Sequence, residues 1–291
     1  MALPTVVVTG ANGQLGSELK ELHSQYPQFN WIFTTREELD LTDEKSINAI
    51  FEKYKPDWFI NCAAYTAVDK AESEKDLSFA INETAPKIIS KLCAETGAKL
   101  IHVSTDYVFH GDGKSPYKPE DHTNPVNFYG LTKLKGEQAV VANLEEAIII
   151  RTAWVYSTYG KNFVKTMRFL MQNKTDLNVV ADQMGTPTYA KDLAEAIVSI
   201  IKTENPTWGT YHFSNEGEIS WFDFATAINQ MSGFACNVHP IPTTDFPTPA
   251  KRPSYSVLDK EKIKTNFHIP IRYWVESLRE CIDKLEKLEV K

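Results

Sequence analysis

Tyr129 and Lys133 stand four residues apart in "FYGLTKLKGE", so a helix through this stretch carries a phenol and an ammonium on one face. That pair suits one chemistry. A ketone carbon that receives a hydride leaves negative charge on its oxygen, and that oxygen needs a proton. A free phenol has a pKa of about 10, too high to exchange protons readily near neutrality. A neighbouring ammonium favours the phenolate and lowers that value. The spacing alone is weak, because a surface helix with a solvated lysine looks the same. A hydroxyl aimed at the same carbonyl and a cradle for a hydride donor would give it meaning. "VSTDYVF" supplies Ser104, Thr105 and Asp106 where an apolar strand ends, at the crevice of a parallel sheet. A hydroxyl there can hydrogen-bond the carbonyl and polarise it. Ser104 and Thr105 point to opposite faces of the strand, so one of the two serves.

The cradle is "TGANGQLG", with Gly10, Gly13 and Gly16 three apart. Gly10 allows a tight turn, Gly13 lets the backbone approach a pyrophosphate, and Gly16 lets the helix lie close to the sheet. The helix start offers free N–H groups and a positive dipole to the phosphates. A dinucleotide fold usually places an acid about 20 residues further on, for the ribose 2′-hydroxyl. Here the second strand ends in "FTTREE", with Thr34, Thr35 and Arg36 at that place. Two hydroxyls and a guanidinium suit a 2′-phosphate. NADPH is therefore expected in preference to NADH, with NADH use left open. "AAYTAVD" follows the third strand, and the small Ala63 and Ala64 leave room for a flat ring or a diphosphate.

These groups need a scaffold that brings strand ends together. "TVVVTG", "FNWIFTT", "WFINCAA", "KLIHVST" and "EAIIIRTAWVY" read as strands, and helical patterns lie between them. Leu15, Leu19 and Leu22 form one helix face, as do Ile47, Ile50 and Phe51 in a helix capped by Thr42 and ended by Pro56. "DLSFAINETAPKIISKLCAETG" reads as one helix despite Pro86, stopped by Gly97. The strands are apolar throughout rather than alternating, the mark of a parallel sheet covered on both faces. The expected fold is α/β, a Rossmann-type doubly wound parallel sheet over residues 1–160. A smaller substrate-binding domain is expected over residues 161–291, with later segments returning to the first. After Tyr156 the connections become proline-rich, as in "HPIPTTDFPTPAKRPSY".

Composition narrows the class. The 291 residues are 42% hydrophobic and carry net charge −7, so an ordinary globular core is affordable and a basic nucleic-acid stripe is absent. Cys62, Cys93, Cys236 and Cys281 are scattered, with no Cys-x-x-Cys, and read as core residues in a reducing compartment. The N-terminus lacks the basic and apolar regions of a signal peptide, and no apolar run is long enough for a membrane helix. A cytoplasmic protein is expected.

In order, "TGANGQLG", "AAYTAVDKAE", "STDYVF", "YGLTKLKGE", "RTAWVY", "NFVKTM", "DQMGTPTY" and "PTPAKRP" resemble the extended short-chain dehydrogenase/reductases of the dTDP-4-dehydrorhamnose reductase family, over nearly the whole chain. The resemblance implies reduction of the C4 ketone of a dTDP-6-deoxyhexose to give dTDP-L-rhamnose. It implies proton donation by Tyr129, support from Lys133, and carbonyl polarisation by Thr105 rather than Ser104. It puts cofactor contacts on Gly13, Gln14 and Leu15, on Asp40 and Leu41, and on Ala64, Tyr65 and Thr66. It puts sugar-nucleotide contacts on Asp106 and Trp154, an indole just past a strand end that can stack on a sugar or base, or else sit in the core. Lys251 and Arg252 would neutralise the diphosphate, and Asn82 is a candidate supporting residue. Some members of the family hold Mg²⁺ at a dimer interface. Glu18 matches one ligand position, but Lys191 stands where another carboxylate would be, and an ammonium repels a divalent cation. No metal is expected, and a homodimer stays open. Two other readings use the same residues: a cofactor-binding regulatory subunit like the β subunit of methionine adenosyltransferase, and a sugar-nucleotide epimerase. The intact Thr105, Tyr129 and Lys133 favour catalysis over regulation.

Overall fold

Five strands follow one another in the first half of the chain: β1 (Thr5–Thr9), β2 (Asn30–Thr34), β3 (Trp58–Asn61), β4 (Lys99–Thr105) and β5 (Ala147–Thr152). In the computed structural model, which describes residues 2–289, they join with a late strand, Gly209–His212, in one sheet. Its order is Gly209–His212, β5, β4, β3, β1, β2, and every pairing is parallel. The chain steps from β1 to β2 on one side, then crosses to β3 on the other. The ends of β1 and β3 therefore border a crevice, where ligands bind in open α/β sheets. This is the Rossmann-type doubly wound sheet read from the apolar strands.

Both faces are covered. Val6, Val8, Ile60, Ile101, Ile148 and Ile150 pack against the helices Gln14–Leu22 and Ala190–Ile201. Val7, Phe59, Leu100 and Ile149 pack against Glu44–Tyr54, Ala85–Thr96 and Phe128–Asn143. Helix Ala190–Ile201 and strand Gly209–His212 lie past residue 160 but belong to the first core. A further core joins helices Phe163–Asn173, Trp221–Met231 and Trp274–Glu289 through Val164, Phe224, Leu278 and Ile282. Among the described residues no helix is long and apolar enough to cross a membrane.

Three local expectations change. Helix Glu44–Tyr54 is capped by Asp43, whose carboxylate accepts from the Lys45 N–H; the Thr42 hydroxyl is spent on Asp40. The segment around Pro86 is not one regular helix: Lys75–Phe79 passes through a π turn, Ala80–Thr84, into Ala85–Thr96. Proline has no N–H to give, and the widened turn just before it is where the chain leaves the regular ladder. Strand "EAIIIRTAWVY" breaks at Trp154, whose backbone is left-handed (φ 48°), and Val155–Tyr156 pairs elsewhere, with Thr188–Tyr189.

Candidate active site

The glycine turn closes on itself through a Gly13 N–H to Gly10 O bond of 2.8 Å. Gly10 has φ 68°, a conformation that favours glycine. A Cβ on Gly16 would lie 2.2 Å from the Gly10 carbonyl oxygen, so only glycine fits the first turn of helix Gln14–Leu22. Beside this turn lies a cavity of about 290 Å³ lined by Thr9, Gly10, Thr35, Arg36, Asp40, Leu41 and the run Ala63–Ala67, among others. Small walls, a guanidinium at one end and backbone N–H groups at the other fit the adenosine half of a dinucleotide. Arg36 is exposed on the rim. Asp40 turns its carboxylate back onto the N–H and hydroxyl of Thr42, which holds it below the ordinary carboxylate range. Gln14 bridges outward instead, donating to Val155 O and accepting from Asn162, so it ties the turn to the later segment. Leu15 is buried in the core.

Tyr129 opens helix Phe128–Asn143 and is buried, as is Lys133 one turn on. The helix is started by Asn127, whose side-chain oxygen accepts from the Gly130 N–H at 2.8 Å. A Cβ on Gly130 would strike the Tyr107 carbonyl oxygen at 2.2 Å, so glycine is what lets the helix start against the end of β4. The Tyr129 phenol faces the Thr105 hydroxyl, which favours its charged form. Thr105 donates its own proton to Asp106 Oδ1 at 2.9 Å. Phenol, hydroxyl and buried carboxylate thus stand in series, with a hydrogen bond between the last two. Ser104 is buried on the other side of the strand, and its hydroxyl has no partner among the described residues.

Two expectations about this site are corrected. Burial pushes the Tyr129 phenol above its ordinary value, and the ammonium does not bring it down here. Lys133 instead donates to Val103 O at 2.7 Å, and burial lowers its own pKa to about 8, with Glu137 partly offsetting this. Thr105 cannot polarise a carbonyl with a proton already given to Asp106; its hydroxyl must first rotate. Asp106 is raised to about 6 by burial, against the hydrogen bonds that favour its charged form. Its Oδ2 is buried without a well-formed hydrogen bond among the described residues, with the Ser256 side chain close by.

Other residues act on the site with less signal in the sequence. Asn82, inside the π turn, accepts from the Tyr65 N–H at 2.9 Å and donates to Tyr65 O and the Thr132 hydroxyl. It clamps the loop Ala63–Thr66 to the helix that carries Tyr129. Tyr65 lines the cavity and gives its hydroxyl to Glu74. Glu137 and Arg151 form a buried fork, 2.7–3.2 Å, that pins the same helix to β5. A buried acid and a buried arginine are readable as a pair only once the fold brings them together.

The outer groups stand differently from expectation. One face of the Trp154 indole is stacked on Trp221, ring centres 3.5 Å apart and 13° from parallel. A Cβ on Gly185 would come within 2.6 Å of the same indole. Trp154 is thus a half-buried wall held by Trp221, not a free stacking platform. Arg252 is forked to Asp69 by bonds of 2.5 and 2.7 Å. Glu18 is buried and bonded to Ser157, and Lys191 pairs with Glu280 at 2.6 Å. Among the described residues no three His, Cys, Asp or Glu side chains gather as metal ligands.

The sequence profile of the RmlD substrate binding domain matches residues 4–287. The chain belongs to the dTDP-4-dehydrorhamnose reductase family. Within that family it is 40% identical to the spore coat polysaccharide biosynthesis protein SpsK of Bacillus subtilis over 96% of this chain and 97% of that one. The dTDP-4-dehydrorhamnose reductase structure from Clostridium acetobutylicum superposes with a TM-score of 0.93 at 42% identity, covering 97% and 99% of the two chains. The Bacillus anthracis dTDP-4-dehydrorhamnose reductase, solved in complex with NADP, also superposes at 0.93, with 38% identity and 97% and 100% coverage. These RmlD-family likenesses run through both the sheet and the C-terminal helices.

Proposed function

We propose that the protein reduces the C4 ketone of dTDP-4-dehydro-L-rhamnose, or a close dTDP-4-keto-6-deoxyhexose, to dTDP-L-rhamnose at the expense of NAD(P)H. The observation that carries the reading is the buried Tyr129 beside the hydrogen-bonded pair Thr105 and Asp106 at the end of β4, with Lys133 buried one helical turn away. It is supported by the family, and by the glycine cradle and cavity that fit a dinucleotide. Bound NAD(P)H would supply the hydride, held by the turn Gly10–Gly16, the loop Ala63–Thr66 and Lys133.

The chain's own residues do the rest. Tyr129 gives its proton to the substrate oxygen as that oxygen becomes negative. Burial keeps the phenol protonated until a stronger base forms beside it, which suits a donor rather than a standing phenolate. Thr105 relays the proton balance: when its hydroxyl leaves Asp106 it can meet the same oxygen. Asp106 and Trp154 bound the sugar, Arg252 meets the diphosphate, and Arg36 favours NADPH over NADH through its reach to a 2′-phosphate.

The test follows nicotinamide absorbance with NADPH, and separately NADH, and dTDP-4-dehydro-L-rhamnose. One cofactor oxidised per sugar reduced supports the reading. Sugar turnover with no net cofactor loss would point to an epimerase, and no turnover with tight capture of a partner enzyme to a regulatory subunit. Tyr129→Phe should lower kcat by about 10²–10⁴-fold, the range for losing a positioned acid, with cofactor affinity kept. A normal rate in that variant refutes the proton donor.

A further inference from the structure

Arg252 stands at the meeting point of three segments, and its partner comes from the cofactor side of the cleft. Its Nη1 donates to Asp69 Oδ1 at 2.5 Å and to Ala250 O at 2.7 Å, and its Nη2 donates to Asp69 Oδ2 at 2.7 Å. Asp69 also accepts the Ala250 N–H at 3.1 Å. Asp69 sits on the short helix Val68–Ala71, directly after the loop Ala63–Thr66 that borders the dinucleotide cavity. The loop carrying Arg252 is fastened twice more. Lys251 O accepts from Asn127, the residue that caps the helix of Tyr129, at 2.8 Å. Pro253 lies against Gly111, whose φ of 85° and lack of a Cβ permit the contact.

The geometry of the fork is informative. A guanidinium has five N–H donors. Asp69 and Ala250 take both Nη1 protons and one Nη2 proton. The Nε–H and the second Nη2–H share the other edge. Beside the guanidinium lies the Tyr107 hydroxyl, and the Tyr107 ring packs edge-on to Tyr129 with centres 5.6 Å apart. Tyr107 therefore stands between Arg252 and Tyr129, and a hydroxyl that accepts from arginine can also donate to an anion there.

We infer that Asp69 is a positioning residue for the substrate's diphosphate: it holds the far edge of Arg252 so that the near edge meets the phosphates, and it links phosphate binding to the cofactor-side loop. This rests on the sugar-nucleotide reading above. Two effects oppose each other at Asp69. Its charge repels a diphosphate, while its fork fixes the arginine that attracts one. Its side chain is 40% exposed, so solvent screens the repulsion, whereas a bidentate fork is lost outright when one acceptor becomes a donor. Positioning wins on this account. In Asp69→Asn an amide NH₂ would face an arginine N–H or the Ala250 N–H, and the fork cannot close.

The experiment measures binding of dTDP by calorimetry to the full chain, with and without NADP⁺, for wild type, Asp69→Asn, Arg252→Lys and the double variant. Steady-state kinetics accompanies it. Asp69→Asn is expected to weaken dTDP roughly tenfold and to raise KM for the sugar nucleotide by a similar factor. NADPH affinity of the free protein and kcat should change little, a split that a merely structural loss would not produce. In the Arg252→Lys background the same change should add almost nothing, because the two act as one unit. Unchanged or tighter dTDP binding in Asp69→Asn overturns the inference while leaving the reductase intact. A wild-type protein that binds no dTDP sinks the sugar-nucleotide reading, and this inference with it.

Discussion

Two buried titrating groups set the site's behaviour. Asp106 is raised to about 6 and Lys133 lowered to about 8, both chiefly by burial. Between these values the carboxylate is charged and holds Thr105, and the ammonium is charged against Val103 O. Below about 6 Asp106 gains a proton and the series from Tyr129 to Asp106 loses its anionic end. Above about 8 Lys133 loses its charge. The profile of kcat/KM, which reports the free protein, should therefore be a bell with limbs near these two values. Asp106→Asn should abolish the acid limb and keep the alkaline one; an acid limb that survives would assign it elsewhere. The types and spacing of these residues were plain in the sequence. Their electrostatics were not, because the expected lowering of the Tyr129 phenol by Lys133 depended on where the ammonium points, and Val103 O holds it. Trp221 carried no signal, since its contact with Trp154 joins residues far apart in the chain.

At the scale of elements, the apolar strands announced the parallel sheet, and helix faces such as Ile47, Ile50 and Phe51 were read from periodicity alone. Caps and irregular turns were less legible. Thr42 and Asp43 are both good caps, and the choice was decided by Asp40, which engages Thr42. The π turn has no pattern of its own, yet it aims Asn82 at the cofactor loop. Gly136 belongs to the same arrangement. In an exposed helix, Gly→Ala gains about 1 kcal/mol from propensity. Here a Cβ would sit 2.1 Å from the Asn82 carbonyl oxygen, a backbone atom. Overpacking costs about 1–3 kcal/mol, so the crowding should win. Gly136→Ala is expected to lower the thermal midpoint and to raise KM for NADPH as Asn82 shifts. A midpoint that rises would show that the helix and the π turn separate freely.

The whole molecule depends on how the C-terminal segment is joined to the sheet domain; the proline-rich connections after Tyr156 mark that a second part begins, but not which of its residues make the joint. The chain returns to the sheet with Ala190–Ile201 and Gly209–His212, then leaves again for helix Trp274–Glu289. One charged cluster links these returns. Asp192, buried on the first of those helices, accepts from Asn215 at 2.6 Å, from Ser277 at 2.5 Å and from the Arg272 guanidinium; Arg272 also reaches Glu280 at 2.5 Å. Truncating Arg272 leaves a buried carboxylate without its cation, and breaking such a pair costs about 3–5 kcal/mol. Arg272 is partly exposed, so the low end applies, about 3 kcal/mol. With roughly 2–4 °C per kcal/mol in a chain this long, Arg272→Ala should lower the midpoint by about 6–12 °C. Turnover at 25 °C should persist, because Arg272 touches none of the reacting groups. Glu120→Ala is the comparison: its bond to Lys262 lies at the surface, with the carboxylate 67% exposed, and surface pairs contribute about 0–1 kcal/mol. Equal midpoints for the two variants would mean that the cluster around Asp192 does not hold the C-terminal helix to the sheet, and that the apolar contacts of Leu278 and Ile282 do so alone.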